Sequence, residues 1–123
     1  MAVVTLTATP VYGDDGPERE YVRVTFYTLN GTMSNGDLTH KNAAACSGWL
    51  PLGTQLQFED GFVVTCDDRG KGDCSWKGWV DVWAPSWDWG TRNISNPDTG
   101  GYGDYAWVTV LRWGDGPTAS VRC

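Results

Sequence analysis

The sequence has no apolar run long enough to cross a membrane as a helix. It has no basic stripe either. Its 9 Lys and Arg are few and scattered against 15 Asp and Glu, giving a net charge of −6. A chain of this sign with no cationic face is a poor match for nucleic acid or an anionic membrane, since both are gripped through phosphates. Helix-period segments are almost missing, which argues against a helical bundle. There is a single histidine, His40, in a polar loop. The cysteines form no Cys-x-x-Cys pair and fit no common zinc spacing, so no metal site is expected. No cofactor motif is present, and no signal-peptide pattern opens the sequence; Met1 to Thr5 reads as the start of a strand.

What is present is glycine (16), tryptophan (8) and short strand-like runs in 123 residues, about the size of one domain. Gly, Asn, Asp and Pro break these runs, the pattern of an all-β barrel or sandwich. Residues 1–123 are read as a single domain with no internal repeat. A first strand is expected at Val3–Val11, and a strong one at Tyr21–Leu29, with Val22, Val24 and Phe26 on one face. Ala43–Cys46 reads as a buried strand or a helical turn. Gln55–Phe58 reads as a strand, Ala84–Gly90 as a short helix with Pro85 in its first turn, Thr91–Asp104 as a polar loop, and Tyr105–Trp113 as the last strand.

The four cysteines, Cys46, Cys66, Cys74 and Cys123, allow three full pairings. At least one disulfide is expected. Cys66–Cys74 is favoured because the loop between them is short and Gly-rich. Disulfides imply an oxidising destination, either extracellular, at the cell wall, or in a virus particle released by lysis.

The chain turns on residues 62–83. Two strand-like runs, around Val63-Val64-Thr65 and Trp79-Val80-Asp81-Val82-Trp83, flank a Gly-rich polar loop. Asp67 and Asp68 stand where the first run should end. Asp81 shares a strand face with Trp79 and Trp83. An acid between two tryptophans is costly on a buried face and useful in a groove. Trp76, Trp79, Trp83, Trp87 and Trp89 are too many for one small core, and either indole faces that stack on sugar rings or a protein–protein interface accounts for the excess. Trp49, Trp107 and Trp113 read equally well as core.

Four stretches together resemble one family. They are Tyr27-Thr28 with Thr32-Met33-Ser34-Asn35-Gly36, then Ala44-Ala45-Cys46 with Leu50-Pro51-Leu52-Gly53-Thr54, then Asp68-Arg69-Gly70-Lys71-Gly72, then Trp79-Val80-Asp81-Val82-Trp83. Their order and spacing are similar to the three-aspartate (3D) domain of lytic transglycosylase A and to the barrel of rare lipoprotein A. The resemblance covers roughly residues 21–90. It implies a six-stranded double-psi β-barrel, here with extra N- and C-terminal strands. It also implies cleavage of the β-1,4 bond between N-acetylmuramic acid and N-acetylglucosamine in peptidoglycan glycan strands. Asp81 matches the third family acid and is the expected acid/base. Asp68 matches the second and is the expected orienting partner. Tyr27, Thr28, Thr32, Ser34, Trp79 and Trp83 are the expected substrate-binding residues. The first acid is replaced by Cys46, and Ser47 stands near the place of a family histidine. That departure, together with the net negative charge, supports a second reading: a non-catalytic glycan-binding module, or a structural part of a phage virion or tail.

Overall fold

Alternating burial along short runs decides the architecture. The computed structural model describes residues 18–48, 50–69 and 78–116. Its strands are β1 (Arg19–Tyr27), β2 (Ala43–Gly48), β3 (Gln55–Phe58), β4 (Val63–Arg69), β5 (Gly78–Trp83) and β6 (Tyr105–Arg112). They hydrogen-bond in the order β1-β5-β2-β4-β3-β6, and β6 pairs back with β1, so the sheet closes into a six-stranded ring. Closure leaves no free sheet edge. The β1/β5 and β2/β4 pairs are parallel, and the other four are antiparallel. Exchanging β1 with β4, β2 with β5 and β3 with β6 returns the same ring with the same directions. The fold thus carries a topological two-fold that the sequence, with no repeat, does not announce.

The ring is filled from every strand. Val22 and Val24 of β1, Ala44 and Cys46 of β2, Leu56 and Phe58 of β3, Val64 and Cys66 of β4, Val80 and Val82 of β5, and Val108 and Val110 of β6 form one buried cluster. Burying each larger aliphatic or aromatic side chain stabilises by about 1.5–3 kcal/mol. Ala44 and the half-cystines are the small members that let the ring close tightly.

Ala43–Cys46 is a strand rather than a helical turn. Strand β4 runs on through Asp67 and Asp68 to Arg69, past the point where the acids were expected to end it. The helix after β5 is the short α1 (Trp87–Gly90), capped by Ser86, whose hydroxyl oxygen accepts from the Trp89 N–H. Pro85 therefore precedes the cap instead of occupying the first turn. The expected loop after it is partly helical: a π-type turn at Thr91–Ser95 and a 3₁₀ turn at Pro97–Thr99. Ile94, the one large aliphatic residue between Pro85 and Tyr105, is 1% exposed and joins the core. With Trp89 and Tyr102, which also pack against the core, it holds this segment on the ring. Gly90 is required there, because a Cβ at this position would fall inside the Phe26 ring.

Cys46 bonds to Cys66, with Cα atoms 5.4 Å apart. This corrects the Cys66–Cys74 expectation. Parallel neighbours β2 and β4 place both half-cystines in the same interior, so Cys66 faces the core and not the loop that follows β4. Cys74, Cys123, Trp49, Trp76, the expected Val3–Val11 strand and the chain after Gly116 lie outside the described residues. Among the described residues, no helix is long and apolar enough to cross a membrane, and no group of His, Cys, Asp or Glu is placed to hold a metal ion.

Candidate functional site

With Val80 and Val82 facing the core, Trp79, Asp81 and Trp83 face outward from β5. On β1 the same alternation turns Arg23, Thr25 and Tyr27 outward. On β4, strict alternation after Val64 and Cys66 would point Asp68 inward. A bulge prevents this: Ala44 is in register with Cys66, but Ala45 is in register with Asp68, so Asp67 is an extra residue on β4. Such a bulge re-aims the side chain that follows it. Asp68 now shares the outer face of Ala45 and Asp81.

Register then assembles a single row across four strands. Thr25 pairs with Asp81, Asp81 with Ala45, and Ala45 with Asp68. The two acids flank β2 at the same level, two strand spacings or about 10 Å apart between backbones. Ala45, only 7% exposed, is the small residue between them. Arg23 and Trp79 are in register on one side of the row, and Tyr27 and Trp83 on the other.

Hydrogen bonds fix the row in detail. The Trp79 indole N–H donates to Thr25 Oγ1 at 2.9 Å, and the Thr25 hydroxyl donates to Asp81 Oδ1 at 2.8 Å. The indole occupies an acceptor site of the hydroxyl, so its one hydrogen turns to Asp81. Burial holds the Asp81 carboxyl above the usual carboxylate range, with the Thr25 hydrogen bond pulling the other way. Asp68 is oriented by the loop between β1 and β2: Ser34 donates to Asp68 Oδ1 from its N–H at 2.9 Å and from its hydroxyl at 2.7 Å. The Arg69 N–H donates to the same oxygen at 2.8 Å. That loop is further tied down by the Asn35 N–H on the Asp67 carbonyl (3.1 Å) and by buried Met33.

Tyr27 is the least conventional member. Its hydroxyl oxygen is buried and has no hydrogen-bond partner among the described residues. Burial, then the charges of Asp68, Asp81 and Asp67, push its pKa up to about 12. The tyrosine therefore stays a neutral donor in a field of carboxylates. Trp83 is anchored through its indole N–H to the Leu29 carbonyl at 3.0 Å, and the Arg23 guanidinium lies 4.6 Å over the Trp79 ring. Thr28 follows β1 and is half-buried. Thr32 is exposed, with its backbone bridged to Leu38.

His40 has a contact at each ring nitrogen. Its Nε2 lies 3.2 Å from Asp67 Oδ2, and its Nδ1 lies 2.6 Å from the Lys41 carbonyl. Burial raises the Asp67 pKa, which His40 partly offsets. Trp107 and Trp113 lie at the surface, 44% and 41% exposed, rather than in the core. Thr25, Arg23 and Ala45 were not singled out from the sequence. Thr25 had a signal: it stands two residues before Tyr27 on the same strand face. The partnership of Ala45 with both acids is visible only in the pairing.

Comparison of the chain with family models, with curated proteins and with solved structures finds no match.

Proposed function

We propose that the ring is a double-psi β-barrel of the three-aspartate type and that it cleaves peptidoglycan glycan strands as a lytic transglycosylase. The observation that carries this reading is the row Thr25–Asp81–Ala45–Asp68, with tryptophans beside a half-buried carboxyl of raised pKa. The two parallel pairs and the topological two-fold support the barrel assignment.

The chemistry needs one acid that holds a proton near neutral pH. Asp81 donates it to the glycosidic oxygen as the bond to the muramic anomeric carbon breaks. The resulting carboxylate then takes the proton of the 6-hydroxyl of that same sugar, whose oxygen closes on the anomeric carbon. The products are a 1,6-anhydro end and a free 4-hydroxyl, and Asp81 is returned protonated. No second carboxylate acts as nucleophile, unlike in a retaining glycosidase. Thr25 holds Asp81 Oδ1, which leaves Oδ2 as the oxygen that exchanges the proton. Asp68, held by Ser34, orients the sugar from two strands away, and Trp79 and Trp83 supply stacking faces.

One observation favours the second reading, a glycan-binding or virion-structural module. The position of the missing first acid is Cys46, and its side chain is locked inside the core by the bond to Cys66. It cannot serve the outer face. Incubation of wild-type protein and Asp81→Asn with purified sacculi separates the two. Transglycosylase activity predicts loss of turbidity for wild type only, with both proteins co-sedimenting. Equal co-sedimentation with no turbidity loss from either supports the binding module.

A further inference from the structure

A second cleft lies away from the Asp81 row, between the β3–β4 turn and the helical segment that packs on the ring. It has a volume of about 100 Å³ and is open to solvent. That is well below the range for drug-sized ligands, room for a small headgroup and not for a disaccharide. Its walls are Phe62, Trp89 and Tyr102, with Ile94 also lining it. The Phe62 and Trp89 rings meet at 57° with centroids 6.4 Å apart, so they form two sides of a corner. Tyr102 is held flat on Phe58, at 15° and 4.2 Å.

Two polar side chains, Asp60 and Asn93, also line the cleft, and both are engaged with its own walls. The Tyr102 hydroxyl donates to both Asp60 oxygens, at 2.9 and 3.0 Å, and the Phe62 N–H donates to Oδ1 at 3.2 Å. The Asn93 amide donates to the Trp89 carbonyl at 2.9 Å. No Lys or Arg lines the cleft among the described residues. A ligand therefore meets a negative charge and aromatic surface, with few polar groups left to bond it. Sugars bring hydroxyls that would go largely unmatched, and a primary ammonium, although Asp60 keeps lone pairs for it, must give up strongly held water. A cation with no N–H needs no such partner, and aromatic faces attract it directly.

We propose that this cleft binds a quaternary ammonium group of the choline type. The proposal does not depend on glycan cleavage at Asp81.

The test is ¹H–¹⁵N NMR titration of the full chain with choline, with its uncharged isostere 3,3-dimethylbutan-1-ol, with n-butylamine and with N-acetylglucosamine. Choline should shift the Trp89 indole and the Phe62 and Tyr102 amide signals. The isostere and the primary amine should bind about tenfold more weakly or not at all. Trp89→Phe should retain binding, and Asp60→Asn should weaken it several-fold. Equal binding of choline and its isostere would make the cleft merely apolar and overturn the proposal. So would preferential binding of N-acetylglucosamine or of the amine, or the absence of any choline-induced shift.

Discussion

Removing the Cys46–Cys66 bond by the double substitution Cys46→Ala/Cys66→Ala should destabilise the ring by an amount that follows from loop length. The bond closes a loop of sequence separation 20. The chain-entropy relation then gives about 11 cal/mol/K, or about 3.3 kcal/mol at 25 °C. Both half-cystines are essentially fully buried, so the lost sulfurs add a packing cost to this figure. Scaling the unfolding entropy to 123 residues gives about 0.26 kcal/mol/K, so the melting temperature should fall by about 13 °C or more. The double variant is the right perturbation because a single substitution leaves a reactive thiol. The assay is thermal unfolding by circular dichroism without reductant, beside non-reduced peptide mapping of the wild type. Mapping should link the peptide carrying Cys46 to the one carrying Cys66. A fall of less than about 4 °C, or a Cys66–Cys74 link in the map, refutes the reasoning.

Three more outcomes follow from the site. Asp81 has a raised pKa, so the folded state binds its proton more tightly than the unfolded state does. Its stabilising contribution is fully present below the unfolded value and is lost as pH rises through the folded one. Asp81→Asn should therefore raise the melting temperature at pH 7, and the gain should shrink as pH falls toward 4; a constant gain at all pH values argues against a buried acid. Tyr27→Phe removes a buried hydroxyl with no described partner, so it should cost little stability or gain up to about 1 kcal/mol. The same variant should delete a tyrosinate transition near pH 12 from the absorbance titration, and a transition deleted near pH 10 instead would show that Tyr27 is solvated. Deleting Asp67 removes the bulge but leaves Asp68 directly after Cys66, so plain alternation keeps it on the outer face; with only the Asp67 contacts to Asn35 and His40 lost, urea unfolding should show a loss of about 1–2 kcal/mol. A loss of several kcal/mol, the cost of an Asp68 turned into the core, would contradict the register described for β2 and β4.

The strands were legible where alternation was clean. Val22-Val24-Phe26, Leu56-Phe58 and Val80-Val82 each mark an inward face, and each lies in a strand of the ring. The ring order was not legible, because closure depends on pairings between strands far apart in the chain, such as β1 with β5. The Cys46–Cys66 bond was missed for the same reason. Loop length favours Cys74, whereas the partner is chosen by which strands lie side by side. Ile94 was hidden in a polar stretch that offers no helical period. At the site, Asp81 and its tryptophans could be read from alternation within one strand. The direction of Asp68 could not, since a single extra residue at Asp67 reverses the face that counting predicts. Thr25 acquires its role only through the indole of Trp79, a residue 54 positions later.

In the proposed reaction Asp81 exchanges the proton that breaks the glycan. Mass spectrometry of peptidoglycan digested by wild-type protein and by Asp81→Asn tests it most directly. The expected result is 1,6-anhydro ends from the wild type and a fall of about 10²–10⁴-fold with Asp81→Asn, whose amide keeps the size but cannot supply the proton. Reducing ends instead of anhydro ends, undiminished release by Asp81→Asn, or no cleavage by the wild type would contradict it.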